Sequence, residues 1–283
     1  MADKKLNLRR IMELYAIYAR LDLAWFLKDT KICLMAISAD FISNIAAVTG
    51  IFLLAYRFDG VGGMDKYEVL FMLGYVTALT GIIQAFFNFN VGHISRRIGR
   101  GQLEHMLIQP LPLAVQLLTE GFIPFSGTSN LFAGLIVMTL AVKSLAYTVT
   151  LVWLMHLAIQ LLVSAIIVLA LNYLFSSLAF YAPSQAEEIS TYVRNSAHNL
   201  STYPLSGMSL AVQLPLLSVF PAGLLGWFPS LALLGETPLG LPALYPIIVA
   251  SVLVLITARV FSKGYRHYLT SGSPRYSSVG HRR

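Results

Sequence analysis

The chain has 283 residues, 57% of them hydrophobic and only 12% charged, with a formal net charge of +7 and a mean hydropathy of +0.69. Water-soluble domains are about one-quarter charged, so this composition excludes a soluble globular protein and specifies an integral membrane protein. The positive charge requires no nucleic-acid partner, because basic cytoplasmic segments lying against anionic membrane lipids account for it.

Residues 1–32 are charged and hold no short apolar h-region before a small-residue cleavage site, so the start is expected to belong to the mature protein. Within residues 6–29, Leu14, Tyr18, Leu21 and Trp25 recur at helical spacing, with Arg9, Glu13 and Arg20 along another face. This pattern predicts an amphipathic helix. Its tryptophan and tyrosines suit the headgroup zone and place it along the cytoplasmic membrane surface; packing as a soluble helix against the rest of the chain is the alternative.

Six apolar stretches follow, at 33–56, 67–89, 127–144, 149–175, 208–228 and 241–261. Crossing a hydrocarbon core of roughly 30 Å takes about 17 to 25 helical residues, and the six qualify or nearly qualify. They lack period-2 alternation and lipid cannot satisfy free backbone amides, so helices are expected rather than barrel strands. The expected fold is an all-α integral membrane bundle of six transmembrane helices in one domain over 1–270, with residues 271–283, rich in serine and glycine, as a disordered cytoplasmic tail. With both termini cytoplasmic, 17 of the 20 lysines and arginines fall on the inner side, leaving Arg57, Lys66 and Lys143 outside. The positive-inside rule therefore orients the chain. The single cysteine, Cys33, excludes an internal disulfide and a cysteine zinc cluster.

The loop after the second stretch carries the densest pattern. Arg96, Arg97 and Arg100 precede Leu103, Met106 and Leu107, which share one helical face, and Pro110 and Pro112 end the run. A short amphipathic cytoplasmic helix is predicted, its apolar face docking a soluble partner or resting on lipid. Glu120, just before Phe122-Ile123-Pro124, marks the start of the third span or caps a short interfacial helix.

Polar residues inside spans mark transport paths, because a buried charge in lipid is costly and must face protein or water. Asp40, Gln84, His156, Gln160 and Gln213 are the candidates for such a lining. His156 and Gln160, four residues apart, share a face that lines a path or forms an interhelical hydrogen bond. The sparse charge argues against a proton- or sodium-coupled carrier and fits an amphiphilic or hydrophobic cargo. Residues 176–206, with Glu187, Glu188, Arg194 and His198, are polar enough to be read as an inward extension of the fourth helix plus a cytoplasmic connector. Prolines 215, 221, 229, 238, 242 and 246, with several glycines, predict kinks or a re-entrant turn around the fifth span.

No G-x-x-x-x-G-K-(S/T) loop occurs, so the backbone cradle and lysine that hold ATP phosphates must come from another polypeptide. H-E-x-x-H and G-x-S-x-G are also missing, and enzymatic activity in this chain is not expected.

Ile98, Gly101, Leu103, Glu104, Leu107 and Pro110 resemble the I-x-x-G-x-L-(D/E)-x-x-L-x-x-P element of permease subunits in the type-2 ATP-binding-cassette exporter superfamily, in its six-span branch without a fused ATPase. Two further elements are similar. Tyr203-Pro204, followed by Leu214-Pro215, Phe220-Pro221, Pro229 and Leu234-Gly235, resembles that branch's Y-P signature and proline-rich fifth span; Gly264, Arg266, Tyr268 and Ser271 resemble its G-x-R-x-Y-x-S-x tail, with Ser271 one place beyond the serine of that pattern. The branch often carries basic residues where this chain has Gly99 and Gln109.

The resemblance implies a permease that pairs with a second, identical or related permease and with two cytoplasmic ATPase subunits, which bind the ATP and magnesium. It implies a bacterial plasma-membrane location and an outward direction of transport. It also implies that the loop helix is a coupling helix seated in the ATPase, formed by Arg96, Arg97, Ile98, Arg100, Gly101, Leu103, Glu104, Met106, Leu107 and Pro110. A standalone carrier or lipid-flipping scaffold is the alternative from another class.

Overall fold

The computed structural model describes residues 8–272, with the side chains of Leu8 and of residues 88–92 outside the description. The tail expected to be disordered therefore lies, from residue 273, outside the described residues. Eleven α-helices account for the described architecture: α1 (Leu8–Lys28), α2 (Thr30–Arg57), α3 (Lys66–Gly99), α4 (Gln102–Leu107), α5 (Leu113–Thr119), α6 (Ser129–Ser144), α7 (Leu151–Ser176), α8 (Pro183–Ser201), α9 (Leu210–Ser218), α10 (Trp227–Leu233) and α11 (Tyr245–Ser271). The only β feature among them is the bridge between Val61 and Met64 in the turn joining α2 to α3.

Local sequence sets where the helices start. Asp65 accepts the Tyr67 amide and Glu68 accepts the Asp65 amide, a reciprocal cap that starts α3. Thr150 accepts the Trp153 amide and starts α7. By length and composition, α2, residues 66–87, residues 151–180 and α11 can each cross a membrane. The stretch at 127–144 folds into α6, which at 16 residues is shorter than that test requires.

α3 is the axis. It packs along α6 through small residues: a Cβ on Gly81 would meet the Leu131 backbone, one on Gly134 the Ala78 backbone, and one on Gly74 would lie 2.7 Å from the Met138 amide. Close helix approach through glycine is how apolar helices gain contact where no hydrophobic driving force separates them from lipid. A large core forms around Phe71, Met72, Tyr75, Ile167 and Phe228. A second, smaller core of Ile94, Ile98, Leu103, Met106, Leu117, Phe180 and Tyr268 sits at the opposite end, under α4 and α5.

Two sequence expectations meet the structure here. The inward extension of the fourth helix is present, α7 continuing through a 3-10 turn to Phe180, but the remainder, to residue 206, is not a connector held at one end. Pro183 packs on Gly99 at the lower end of α3, Ser190 bonds Ser95 at 3.0 Å, and Gly226 fits between Ser201 and Val76 near the upper end. Pro204 and Ser206 then reach Gly62 and Gly63 of the turn between α2 and α3. α8 thus runs antiparallel to α3 through the bundle. Ser190 and Ser201 face the bundle, while Glu188, Asn195, His198 and Asn199 stay exposed, so polarity alone did not reveal the packed face.

The stretch at 208–228, where the prolines predicted kinks or a re-entrant turn in the fifth span, is α9, a 3-10 turn at Ala222–Leu224 and α10, bent by 72°. Pro215 and Pro221 remove ladder donors at the bend. Both arms end at the upper side: Trp227 Nε1 donates to Ser206 Oγ (2.7 Å), and Trp153 Nε1, at the upper start of α7, donates to the Leu233 carbonyl (2.8 Å). The tip lies deep, where Ser164 Oγ donates to the Leu224 carbonyl and shares a hydrogen bond with the Tyr75 hydroxyl.

Candidate functional site

The lower end is a tied knot. Gly101 takes φ +71°, a left-handed turn that glycine adopts without steric cost, and so redirects the chain from α3 into α4. Leu103 is fully buried and Met106 nearly so, both in the small lower core. Gln116 Nε2 donates to the carbonyls of Met106 (2.8 Å) and Leu111 (2.9 Å), fixing α4 to α5. Arg97 Nη1 donates to Glu120 Oε2 and Arg96 Nε to Glu187 Oε1, each at 2.7 Å, so α3 is fastened to the end of α5 and to α8.

The C-terminal helix closes the knot from the other side. Gly264 leaves room for the Phe180 ring, Tyr268 packs on that ring at 5.8 Å between centroids, and its hydroxyl lies 3.5 Å from Glu104 Oε1. The Gly264 and Tyr268 positions of the tail pattern are therefore explained by packing against the α4 segment. α1 joins through Asp22, which accepts from the Phe125 amide (2.8 Å), the Ser126 amide (3.2 Å) and the Ser126 hydroxyl (2.6 Å). The surface left facing away from the bundle is Arg100, Gln102, His105, Ile108, Gln109 and Pro110, with Ile108 81% exposed.

Above the knot, α3, α7 and α8 enclose a cavity of about 420 Å³. Its walls are Val76, Leu79, Ile83, Val168, Leu171 and Leu225, and its polar groups are Thr80, Gln84, His93, Asn172, Arg194, Asn195, His198 and Ser201. None of the described lining residues is acidic. His93 lies beyond the apolar stretch of α3, and burial, then the charges of Arg96, Arg194 and Arg97, hold its imidazole below the ordinary range. At neutral pH it is an uncharged donor or acceptor. A second recess, between α1, α2 and residues 121–126, is lined by Asp22, Trp25, Cys33 and Asp40.

The model of a family described as ABC-2 family transporter protein matches residues 41–272, from within α2 to just past the end of α11. The chain belongs to the ABC-2 transporter family. No curated protein and no solved structure matches it. The match makes this a multi-pass membrane protein and a permease component of a transporter, as the resemblance in its motifs anticipated. Permeases of the ABC-2 family generally work with ATPase partners.

The structure scatters the five polar residues read as a path lining in this ABC-2 permease. Gln84 alone borders the large cavity, where its Oε1 accepts from Asn130, whose Oδ1 accepts from Asn44. Asp40 borders the second recess. His156 and Gln160 pair at 3.0 Å within α7, and Gln160 reaches the Ala243 carbonyl, in the turn before α11, at 3.3 Å. Gln213 closes its own hairpin by donating to the Leu205 and Met208 carbonyls.

The residues of the expected coupling helix do come together, but its apolar face points inward. Leu103 and Met106 hold the fold, Arg96 and Arg97 are occupied by internal ion pairs, and the outward groups are Ile108, His105, Gln102 and Arg100. Arg194, His198 and Asn172 were not selected from sequence as a site. The available signal was the spacing of Ser190, Arg194, Ala197, His198 and Ser201 along one face of α8.

Proposed function

We propose that this chain is the transmembrane permease subunit of an ATP-driven exporter, paired with a second permease, identical or related, and driven by two separate ATPase subunits that carry the ATP and Mg²⁺. In this reading the membrane is a bacterial plasma membrane and both termini are cytoplasmic. The lower end is the cytoplasmic end. The six crossings are α2, α3, α6, α7, α8 and α11; α8, 19 residues and about 28 Å long, replaces the 208–228 stretch, and α9–α10 re-enter from the outer side. α1 lies along the cytoplasmic interface, with Leu21 and Trp25 exposed toward lipid.

The observation that carries this reading is the lower knot. A rigid foot joins α3, α8 and α11 through ion pairs and one shared core, and presents Arg100, Gln102, His105, Ile108 and Gln109 outward. A force on that foot moves three long helices together. Closure of an ATPase dimer against it biases the bundle between two arrangements, a rigid-body switch. Cargo is amphiphilic or hydrophobic and passes beside α3 and α8.

The test is purification through a tag on this chain after co-expression with the ATPase encoded beside its gene. The parent chain retains the ATPase, and Ile108→Asp weakens the association about tenfold or more, as for an exposed apolar anchor at an interface. Purification of a well-folded parent chain without any ATPase in gentle detergent or nanodiscs overturns the reading in favour of a standalone carrier.

A further inference from the structure

Asp40 places an exposed carboxylate inside the apolar length of α2. It stands ten residues, about 15 Å, above the first residue of a helix long and apolar enough to cross a membrane. Its carboxylate makes no ion pair and no hydrogen bond among the described residues. A carboxylate in a span is costly unless protein, water or an opposite charge meets it. Asp40 lines the recess between α1, α2 and residues 121–126, which has a volume of about 400 Å³.

The walls of this recess are fixed by contacts of their own. Asp22 ties α1 to the 121–126 segment by accepting from the Phe125 amide and the Ser126 hydroxyl. Asn44, one turn above Asp40, donates to Asn130 Oδ1 at the start of α6 (2.7 Å), and the Ile123 amide donates to the Ala85 carbonyl of α3 (2.8 Å). Along α2, Cys33, Ala36, Ile37 and Asp40 form one stripe about 10 Å long. The lining carries one sign of charge. Asp22 and Asp40 are both acidic, and no lysine, arginine or histidine borders the recess among the described residues. Three neutral donors already bond Asp22, and the aromatic members of the lining are Tyr18, Trp25 and Phe122.

We propose that this recess binds a lipophilic organic cation drawn from the membrane, its charge met by Asp40 and its apolar body by Tyr18, Trp25 and Phe122. Charge and composition select this class. An anion would meet only carboxylates, and a neutral hydrocarbon would leave Asp40 uncompensated. A metal ion needs several oxygen ligands, and among the described residues no group of three or more acidic, histidine or cysteine side chains could hold one. An organic cation with an apolar surface gains from the carboxylate, the ring faces and the aliphatic walls together. The depth of Asp40 favours such a cation over the ammonium head of a lipid, which stays at the interface. A volume of about 400 Å³ is within the range of ligand sites. The site is claimed for the chain itself; it rests on α2 as a crossing and not on coupling to ATP.

The experiment measures equilibrium binding of radiolabelled tetraphenylphosphonium to the full chain in phosphatidylcholine nanodiscs, without any ATPase and with empty nanodiscs subtracted. Tetraphenylborate, an anion of nearly the same shape, is measured separately. The expected result is saturable binding of the phosphonium and none of the borate. Asp40→Asn weakens binding about tenfold or more, and Asp40→Glu stays within about threefold of the parent. Trp25→Leu weakens it about threefold, as for an exposed cation–π contact. Excess Mg²⁺ does not compete. A diazirine-bearing phosphonium on the parent chain labels α2 between Cys33 and Asp40, or the 121–126 segment.

No saturable binding above empty discs, equal saturable binding of the borate, unchanged affinity in Asp40→Asn, competition by Mg²⁺, or labelling confined to other helices overturns the proposal. Variants are compared only where they elute as single species with the parent's thermal stability; should Asp40→Asn not fold, the photolabelling of the parent chain decides. Because no ATPase is present, failure here leaves the permease reading to be judged by ATPase retention alone.

Discussion

Arg97 and Glu120 meet at 2.7 Å across 23 residues, and their side chains are 10% and 35% exposed, so the lower end of α3 is tied to the residue that ends α5 by a partly desolvated ion pair. Hydrogen bonds to charged groups of this kind are worth about 1.5–3 kcal/mol. Glu120→Gln is expected to lose about 1–2 kcal/mol, read as a lower thermal midpoint in detergent, since the amide keeps one acceptor. Exchanging the pair, Arg97→Glu with Glu120→Arg, recovers part of that loss; no recovery would show that the charges are not coupled.

Leu103 and Ile108 are five residues apart and have opposite duties. Leu103 is fully buried and Ile108 is 81% exposed. Leu103→Ala is expected to cost about 2–4 kcal/mol in stability, and Leu103→Asp more. Ile108→Asp leaves the thermal midpoint within about 0.5 kcal/mol of the parent while weakening ATPase association. Equal destabilisation by the two aspartate variants would contradict the inward packing of α4.

The direction of α8 is tested by thiol labelling. In a Cys33→Ala background, Ser209→Cys lies beyond α8 at the upper end and Glu188→Cys near its lower end. An impermeant maleimide added to intact cells should label the first, and only permeabilised cells should label the second. Inner-side labelling of Ser209→Cys would restore 208–228 as a crossing that starts in the cytoplasm.

Gly81 and Gly134 set the spacing of α3 and α6. Because a Cβ at either position would overlap the facing backbone, Gly81→Ala or Gly134→Ala forces the helices apart. Each should cost about 1–3 kcal/mol despite the better helix propensity of alanine. Unchanged or raised thermal midpoints would show that the two helices do not pack this closely.

The turn between α2 and α3 carries a pH dependence. The hydrogen bond from Lys66 at 2.6 Å and its charge hold the Asp59 carboxyl below its usual range. The Asp59 contribution is present above the unfolded carboxyl value of about 3.9 and is lost as pH falls through the lower folded value. Asp59→Asn, which also tolerates the φ of +55° at this position, should therefore lower the thermal midpoint slightly at pH 6, by a margin that shrinks as pH falls below about 3.9. A difference that does not shrink on acidification would place its cause outside the ion pair.

The sequence by itself determined the class of protein. Composition, long apolar runs and missing alternation leave only a helical membrane bundle, because lipid satisfies no backbone group. The same runs overlap α2, α3, α7 and α11, since apolar length is a one-dimensional property, while α3 and α11 each continue ten residues past the expected ends. The ordered motifs at 98–110, 203–235 and 264–271 pointed to the family that the chain belongs to.

Tertiary structure decided what each face meets. The apolar stripe of α4 reads the same whether it faces a partner or its own bundle, and only packing shows that Leu103 and Met106 turn inward while Ile108 turns out. The polar helix α8 looked like a connector because hydropathy averages over all sides of a helix. Its serines and charges are placed by single contacts, Ser190 on Ser95 and Glu187 on Arg96. Prolines in 208–228 allowed both a kinked span and a return; the bonds from Trp227 to Ser206 and from Trp153 to Leu233 put both arms at one end. The cavity is a product of three helices distant in the chain, so no local pattern could have shown which residues line it.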